Sequence, residues 1–127
     1  MTLIDEKYFS QRMRSSLATQ SEITALQEAA KALSAYRDVV KFVAFCSRVR
    51  GDFTGESDMD VLVVLLEMDV KIMNEVIHIL NELEFKYDVP LSPVIFSKKE
   101  YDINKNLGSP FITNVEREGI VLYDSER

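Results

Sequence analysis

VVKFVAFCSRVRGDFTGESDMDVLVVLL, residues 39–66, sets two apolar runs on either side of a polar loop. Val40–Phe45 crowds valine and phenylalanine with Lys41 as the single charge, and reads as a largely buried strand. Gly51 and Gly55 then interrupt the chain among Asp, Thr and Ser, which is turn chemistry, with room for a short helical turn near Ser47–Val49. Asp60 leads straight into Val61–Leu66, a second run that calls for cover on both faces.

Asp58 and Asp60 are one residue apart. In extended backbone alternate side chains share a face, so both carboxylates project one way and Met59 the other. Two carboxylates held together repel unless one is protonated or a cation lies between them. Magnesium suits such a pair, because it takes oxygen ligands and keeps room for water and phosphate. Ser47 and the backbone N–H groups of the loop are candidate phosphate donors. An isolated Asp-x-Asp is equally a polar turn between core strands. A small hydroxyl after one buried strand, both acids before the next and glycines between them make a more specific combination.

Working outward, Ser21–Asp38 has Ile23, Leu26, Ala30, Leu33 and Tyr36 or Arg37 at helical spacing, with Ser21 as the expected N-cap. Alanine at 25, 29, 30, 32 and 35 favours helix intrinsically. Asp69 is placed to cap a helix over Val70–Phe85, whose inner face reads Met73, Val76, Ile77, Leu80 and Leu83. His78 falls on its outer face with Asn74, Glu75 and Glu82. An exposed position for the sole histidine excludes His-Asp-Ser catalysis and multi-histidine zinc sites. Leu91–Ser97 is a third strand, with Pro93 assigning it to a sheet edge or a strand start. Lys98–Leu107 is polar and reads as loop or irregular helix. Ser109 and Pro110 begin a helix through Arg117, with Phe111, Ile112 and Val115 inward. Gly119 ends it, and Ile120–Tyr123 makes a short last strand. Leu3–Leu17 has a weak helical stripe and could serve as a dimer arm, so a homo-oligomer stays open. The expected division is an extension over 1–20 and one α/β domain over 21–127.

A chain of 127 residues can bury a single core without staples. The net charge of -6 argues against broad nucleic-acid binding, which needs many phosphate-neutralising cations. It is compatible with one nucleotide in a metal-lined pocket. Cys46 is the only cysteine, which excludes an intrachain disulfide and a thiolate cluster. No stretch reads as a signal peptide or a membrane span, so no membrane partner is expected and the cytoplasm is the default location.

CSRVRGDFTGESDMD resembles the minimal nucleotidyltransferases, small relatives of the DNA polymerase beta superfamily. Their pattern sets a Gly-Ser after the first strand, then about ten residues and Asp-x-Asp; here ten residues separate Ser47 from Asp58. PFITNVEREGIVLY also looks like the ending of small members. The resemblance implies an α+β fold with a mixed sheet and helices packed on it. It implies magnesium and ATP as cofactors, with Asp58 and Asp60 as metal-binding, catalytic residues. Cys46, Ser47, Arg48 and Gly51 fall at nucleotide-binding positions, and Arg50 matches the basic version of the motif; Arg48 equally could brace the loop by pairing with Asp52 or Glu56, and Gly51 suits the backbone turn better than a ligand contact. The implied reaction moves AMP from ATP to an acceptor hydroxyl. The implied role is an antitoxin that modifies a small all-helical RNase-like toxin. Two alternatives are a weak or inactive domain that neutralises a partner by binding, and nucleotide transfer to a small molecule. Two departures bear on turnover. Cys46 stands where the pattern has glycine. The third carboxylate of active relatives lies on the third strand, where LSPVIFS offers Ser92; Asp88 is the candidate substitute, or else a turn residue.

Overall fold

The computed structural model of the chain describes the backbone at 2–3 and residues 19–45 and 59–126 in full. The expected helix over Leu3–Leu17 lies outside the described residues apart from Leu3, which is extended. Among the described residues there are five strands: β1 (Thr2–Leu3), β2 (Val39–Phe45), β3 (Met59–Leu65), β4 (Leu91–Ser97) and β5 (Ile120–Asp124). The described helices are α1 (Gln20–Leu33), α2 (Val70–Tyr87), α3 (Lys98–Asn106) and α4 (Pro110–Glu118). The strands form one sheet in the order β1-β5-β2-β3-β4. All neighbours are antiparallel except β3 and β4, which run parallel. A parallel pair needs a crossover, and α2 supplies it. The fold is therefore the mixed-sheet α/β arrangement expected, and Pro93 does sit on an edge strand of the described sheet.

Both faces of the sheet are covered. Ile23, Leu26 and Leu33 of α1 and Val76, Leu80 and Leu83 of α2 pack on Phe42, Val61, Val63 and Leu65. Tyr101 of α3 and Ile112 and Val115 of α4 pack on Val40, Val43, Leu62 and Val64 on the other side. This explains the unbroken apolar run of β3, six of whose seven residues are buried. A β-bulge sets Val40 and Lys41 against Val64, so the two consecutive side chains reach the α3 side. A second irregularity in β5 leaves both Leu122 and Tyr123 in the α1–α2 core.

Local chemistry differs from the sequence reading at the caps. Thr19, not Ser21, caps α1, and Glu22 closes a capping box by accepting from the Thr19 N–H at 2.8 Å. That reciprocal pairing lets Glu22 be buried. Asp69 caps α2 as expected, accepting from the Lys71 N–H at 2.8 Å. On α2 it is Ile72 and Ile79, rather than Ile77, that join Met73 and Val76 against the core. The stretch expected as loop or irregular helix is a regular helix over Lys98–Asn106, because Ser97 and Glu100 form a second capping box. Ser109 makes no side-chain cap bond; Pro110 alone marks the start of α4. Gly119 ends α4 by close packing: a Cβ there would meet the Val115 carbonyl and lie 2.7 Å from Val43 Cγ1.

Candidate functional site

Asp60 is the second residue of β3, and its Cα partners are Phe45 on β2 and Ser92 on β4. Strand alternation puts Asp60 on the face shared by Leu62 and Val64, and Ser92 on the face shared by Val94 and Phe96. The two polar residues are therefore lateral neighbours on the α3–α4 side, about 4.8 Å apart along the hydrogen-bonding direction. Both are half-buried. Phe45 flanks Asp60 on the other strand, and its ring meets Phe111 of α4 edge-on at 5.5 Å. Phe96 lies 6.0 Å from the same Phe111 ring. The three rings belong to the apolar α3–α4 side, and of them Phe45 is the one paired with Asp60. Residues 46–58 join Phe45, the last residue of β2, to Met59, the first of β3, so both junctions lie at the same end of these two strands.

The parallel register is held at its start by a network that the sequence reading missed. The Met59 N–H donates to the Pro90 carbonyl at 3.0 Å. Asp88 caps α2 in the left-handed conformation, with φ at 53°, and this reverses the chain toward β4. Glu84 then reaches over the reversal and accepts from the Leu91 N–H at 2.8 Å. Glu84 fixes the backbone immediately before Ser92 without touching Ser92 itself. No sequence motif announces it, because the contact exists only once Asp88 has turned the chain. Asp is one of the few L residues that enter the left-handed region at modest cost.

Of the candidate site residues, Asp60 and Asp88 are described. Asp60 faces the α3–α4 side, whereas Asp88 is exposed at the helix end. Cys46, Ser47, Arg48, Gly51 and Asp58 lie outside the described residues, as does the short turn expected near Ser47. His78 is exposed on the outer face of α2, 3.0 Å from Glu82, as its spacing implied. Among the described residues no three His, Cys, Asp or Glu side chains gather to hold a metal. Asp60 and Ser92, register partners on one face, both carry oxygen donors, which is the chemistry magnesium accepts.

A separate polar cluster occupies the opposite end of the same face. Lys41, Lys98, Tyr101, Lys105 and Asp124 border a cavity of about 120 Å³. Tyr101 donates to Glu116 at 2.7 Å, and Lys105 approaches the same carboxylate at 3.3 Å. Burial, then the Glu116 bond, pushes the Tyr101 hydroxyl well above its ordinary range. Burial would raise Glu116, but the bonds from Tyr101 and Lys105 outweigh it and hold the carboxyl below 4.5. The opposed shifts show a paired, structural network in which the lysine ammonium groups answer neighbouring acids.

With an acid at the head of the strand that follows the SRVRG sequence and a mixed sheet covered on both faces, the class is a nucleotidyltransferase-type domain. The sequence pattern of the polymerase beta nucleotidyltransferases matches residues 27–127, and the chain belongs to that family. It is 38% identical over 105 residues to a Methanocaldococcus jannaschii protein named "Putative protein adenylyltransferase MJ0604", covering 81% of this chain and 99% of that one. It is 35% identical over 81 residues to "Putative protein adenylyltransferase MJ0141" of the same organism, covering 63% of this chain and 75% of that one. A crystal structure titled as a putative nucleotidyltransferase from Sulfolobus solfataricus superposes with a TM-score of 0.51 at 16% identity. The match covers 100% of this chain and 95% of that one, and it shows the fold. Among the described residues no helix is long and apolar enough to cross a membrane.

Proposed function

We propose that this domain transfers AMP from ATP to a hydroxyl on a protein partner. The observation that carries the reading is the position of Asp60: on a strand head, beside a parallel neighbour, at the end of the sheet where β2 stops and β3 starts. The names of the two Methanocaldococcus jannaschii relatives support a protein acceptor. Asp58 and Asp60 would hold magnesium, which neutralises phosphate charge and polarises the α-phosphorus for attack. Cys46, Ser47 and the backbone around Gly51 would bind the triphosphate, with Arg48 offering a charge-assisted bond to it. The acceptor oxygen forms a bond to the α-phosphorus, the bond to pyrophosphate breaks, and the hydroxyl proton leaves to a base. Asp88 is a candidate for that base only if residues 88–92 rearrange, since it is exposed at the end of α2. A small all-helical RNase-like toxin is the partner class, with the chain as its cytoplasmic antitoxin.

A second reading has its own observation. Ser92, not a carboxylate, stands beside Asp60, and this favours a domain of low turnover that neutralises its partner chiefly by binding. Incubation with labelled ATP, magnesium and candidate partners separates the two. Transfer of label, lost by at least about a hundredfold in Asp58→Asn or Asp60→Asn, supports catalysis, since removing electrostatic stabilisation of this kind costs that much. Partner inhibition that survives both substitutions supports the binding role. Absence of ATP binding with and without magnesium refutes the nucleotide site altogether.

A further inference from the structure

We propose that the outer edge of β4 is closed to strand addition by two glutamates and a proline, so that a second copy of this chain does not extend the sheet there. In the parallel β3–β4 pair Met59 is the register partner of Leu91, and its N–H bonds the Pro90 carbonyl. A residue bonded across a parallel pair reaches the residues on either side of its partner, so Met59, Val61 and Val63 bond to the backbone of Ser92, Val94 and Phe96. Successive backbone groups of a strand point to opposite sides, so those of Leu91, Pro93, Ile95 and Ser97 face away from β3. No described strand lies on that side. Such an edge ordinarily presents a row of N–H and C=O groups that templates pairing with another chain. Here the row of donors is broken. The Leu91 N–H donates to the Glu84 carboxylate at 2.8 Å. Pro93 has no N–H to offer. The Ser97 N–H donates to the Glu100 carboxylate at 3.0 Å. Ile95 carries the remaining outward N–H of the strand. The two carboxylates belong to the helices before and after β4, so the docking of α2 and α3 seals both ends of the edge. An incoming strand would have to displace a charge-assisted bond at each end, and its carbonyl oxygens would meet carboxylate oxygens. A homo-oligomer or a protein partner is therefore met on another surface of the fold.

Amide hydrogen exchange followed by NMR over a range of protein concentrations tests this on the unaltered chain. The Leu91 and Ser97 amides are expected to show protection factors at least about tenfold above that of Ile95, the discrimination given by one hydrogen bond to a charged group. Ile95 protection is expected to stay the same at every concentration. Ile95 protection that rises with concentration overturns the proposal, and so does protection of Ile95 equal to that of Leu91 and Ser97; neither result needs a folded variant. Opening the edge gives the converse measurement. Pro93→Val combined with Glu84→Ala frees donors at 91 and 93 beside that of Ile95, and sedimentation of this double variant should reveal self-association absent from wild type, with Ile95 gaining protection as the concentration rises. Glu84→Gln, which keeps an acceptor for the Leu91 N–H, should sediment as wild type. A folded double variant that matches wild type in both sedimentation and Ile95 protection overturns the proposal.

Discussion

Glu84 shows how much a single side chain outside the site can decide. Its carboxylate accepts from the Leu91 N–H, one residue before the partner of Asp60. Without it, the first residue of β4 has a backbone donor with no acceptor at the helix end. Glu84→Ala should cost about 1–3 kcal/mol, the range for leaving a backbone donor unsatisfied, read by urea denaturation. Glu84→Gln keeps an acceptor and should recover most of that loss. At the residue scale the sequence is legible where chemistry is local. The spacing of Asp58 and Asp60 marks a candidate site, and Asp69 is recognisable as a cap. Glu84 is not legible, because a carboxylate on a polar helix face looks the same whether it meets water or a backbone N–H seven residues away.

At the scale of elements, caps and close approaches set the boundaries. The capping box of Ser97 and Glu100 turns a polar stretch with little apolar periodicity into α3. That signal is present in the sequence, and composition obscures it: only Tyr101 of this helix is buried. The strand β2 shows the reverse limit. Its apolar run is legible, but the bulge that sends both Val40 and Lys41 to one face depends on its pairing with β3. At the junction of α4 and β5, Gly119 permits the helix end to lie against Val43. Gly119→Ala would drive a methyl group into Val115 and Val43. We expect a loss of about 1–3 kcal/mol, the usual cost of overpacking, seen as a lower melting temperature. Gly108 has no such wall, since a Cβ there would meet nothing within 4 Å, but its φ of 71° strains any L residue.

For the whole molecule, the sheet is a shared wall between two cores, and the polar network of Lys41, Tyr101 and Glu116 ties the α3–α4 layer to it. Glu116 titrates below its ordinary 4.5 in the fold, so its contribution is present above that pH and is lost as pH falls through the lowered value. Tyr101 titrates above its ordinary 10.0, so its contribution is present below that pH and fades as pH rises beyond it. Stability should therefore hold a plateau between these limits and fall on both sides. Tyr101→Phe removes the hydroxyl and should lower the plateau by about 1 kcal/mol, with the difference from wild type shrinking at both extremes. Denaturation midpoints across a pH series give the measurement.

The sequence alone determined that the chain would fold as an α/β domain with three apolar strands, a short last strand and a candidate site between Phe45 and Val61. Hydrophobic periodicity, Gly and Pro punctuation and the spacing of Ser47, Asp58 and Asp60 are local quantities, and a linear string carries them. Only the tertiary structure decided that β3 and β4 run parallel in the register that sets Ser92 beside Asp60. It also decided that Glu84 holds the start of β4 and that bulges redirect Lys41 and Tyr123. Those features come from pairing residues far apart in the chain. Strand register shifts by whole residues with little change in local propensity, and only the packing of both faces at once selects one register.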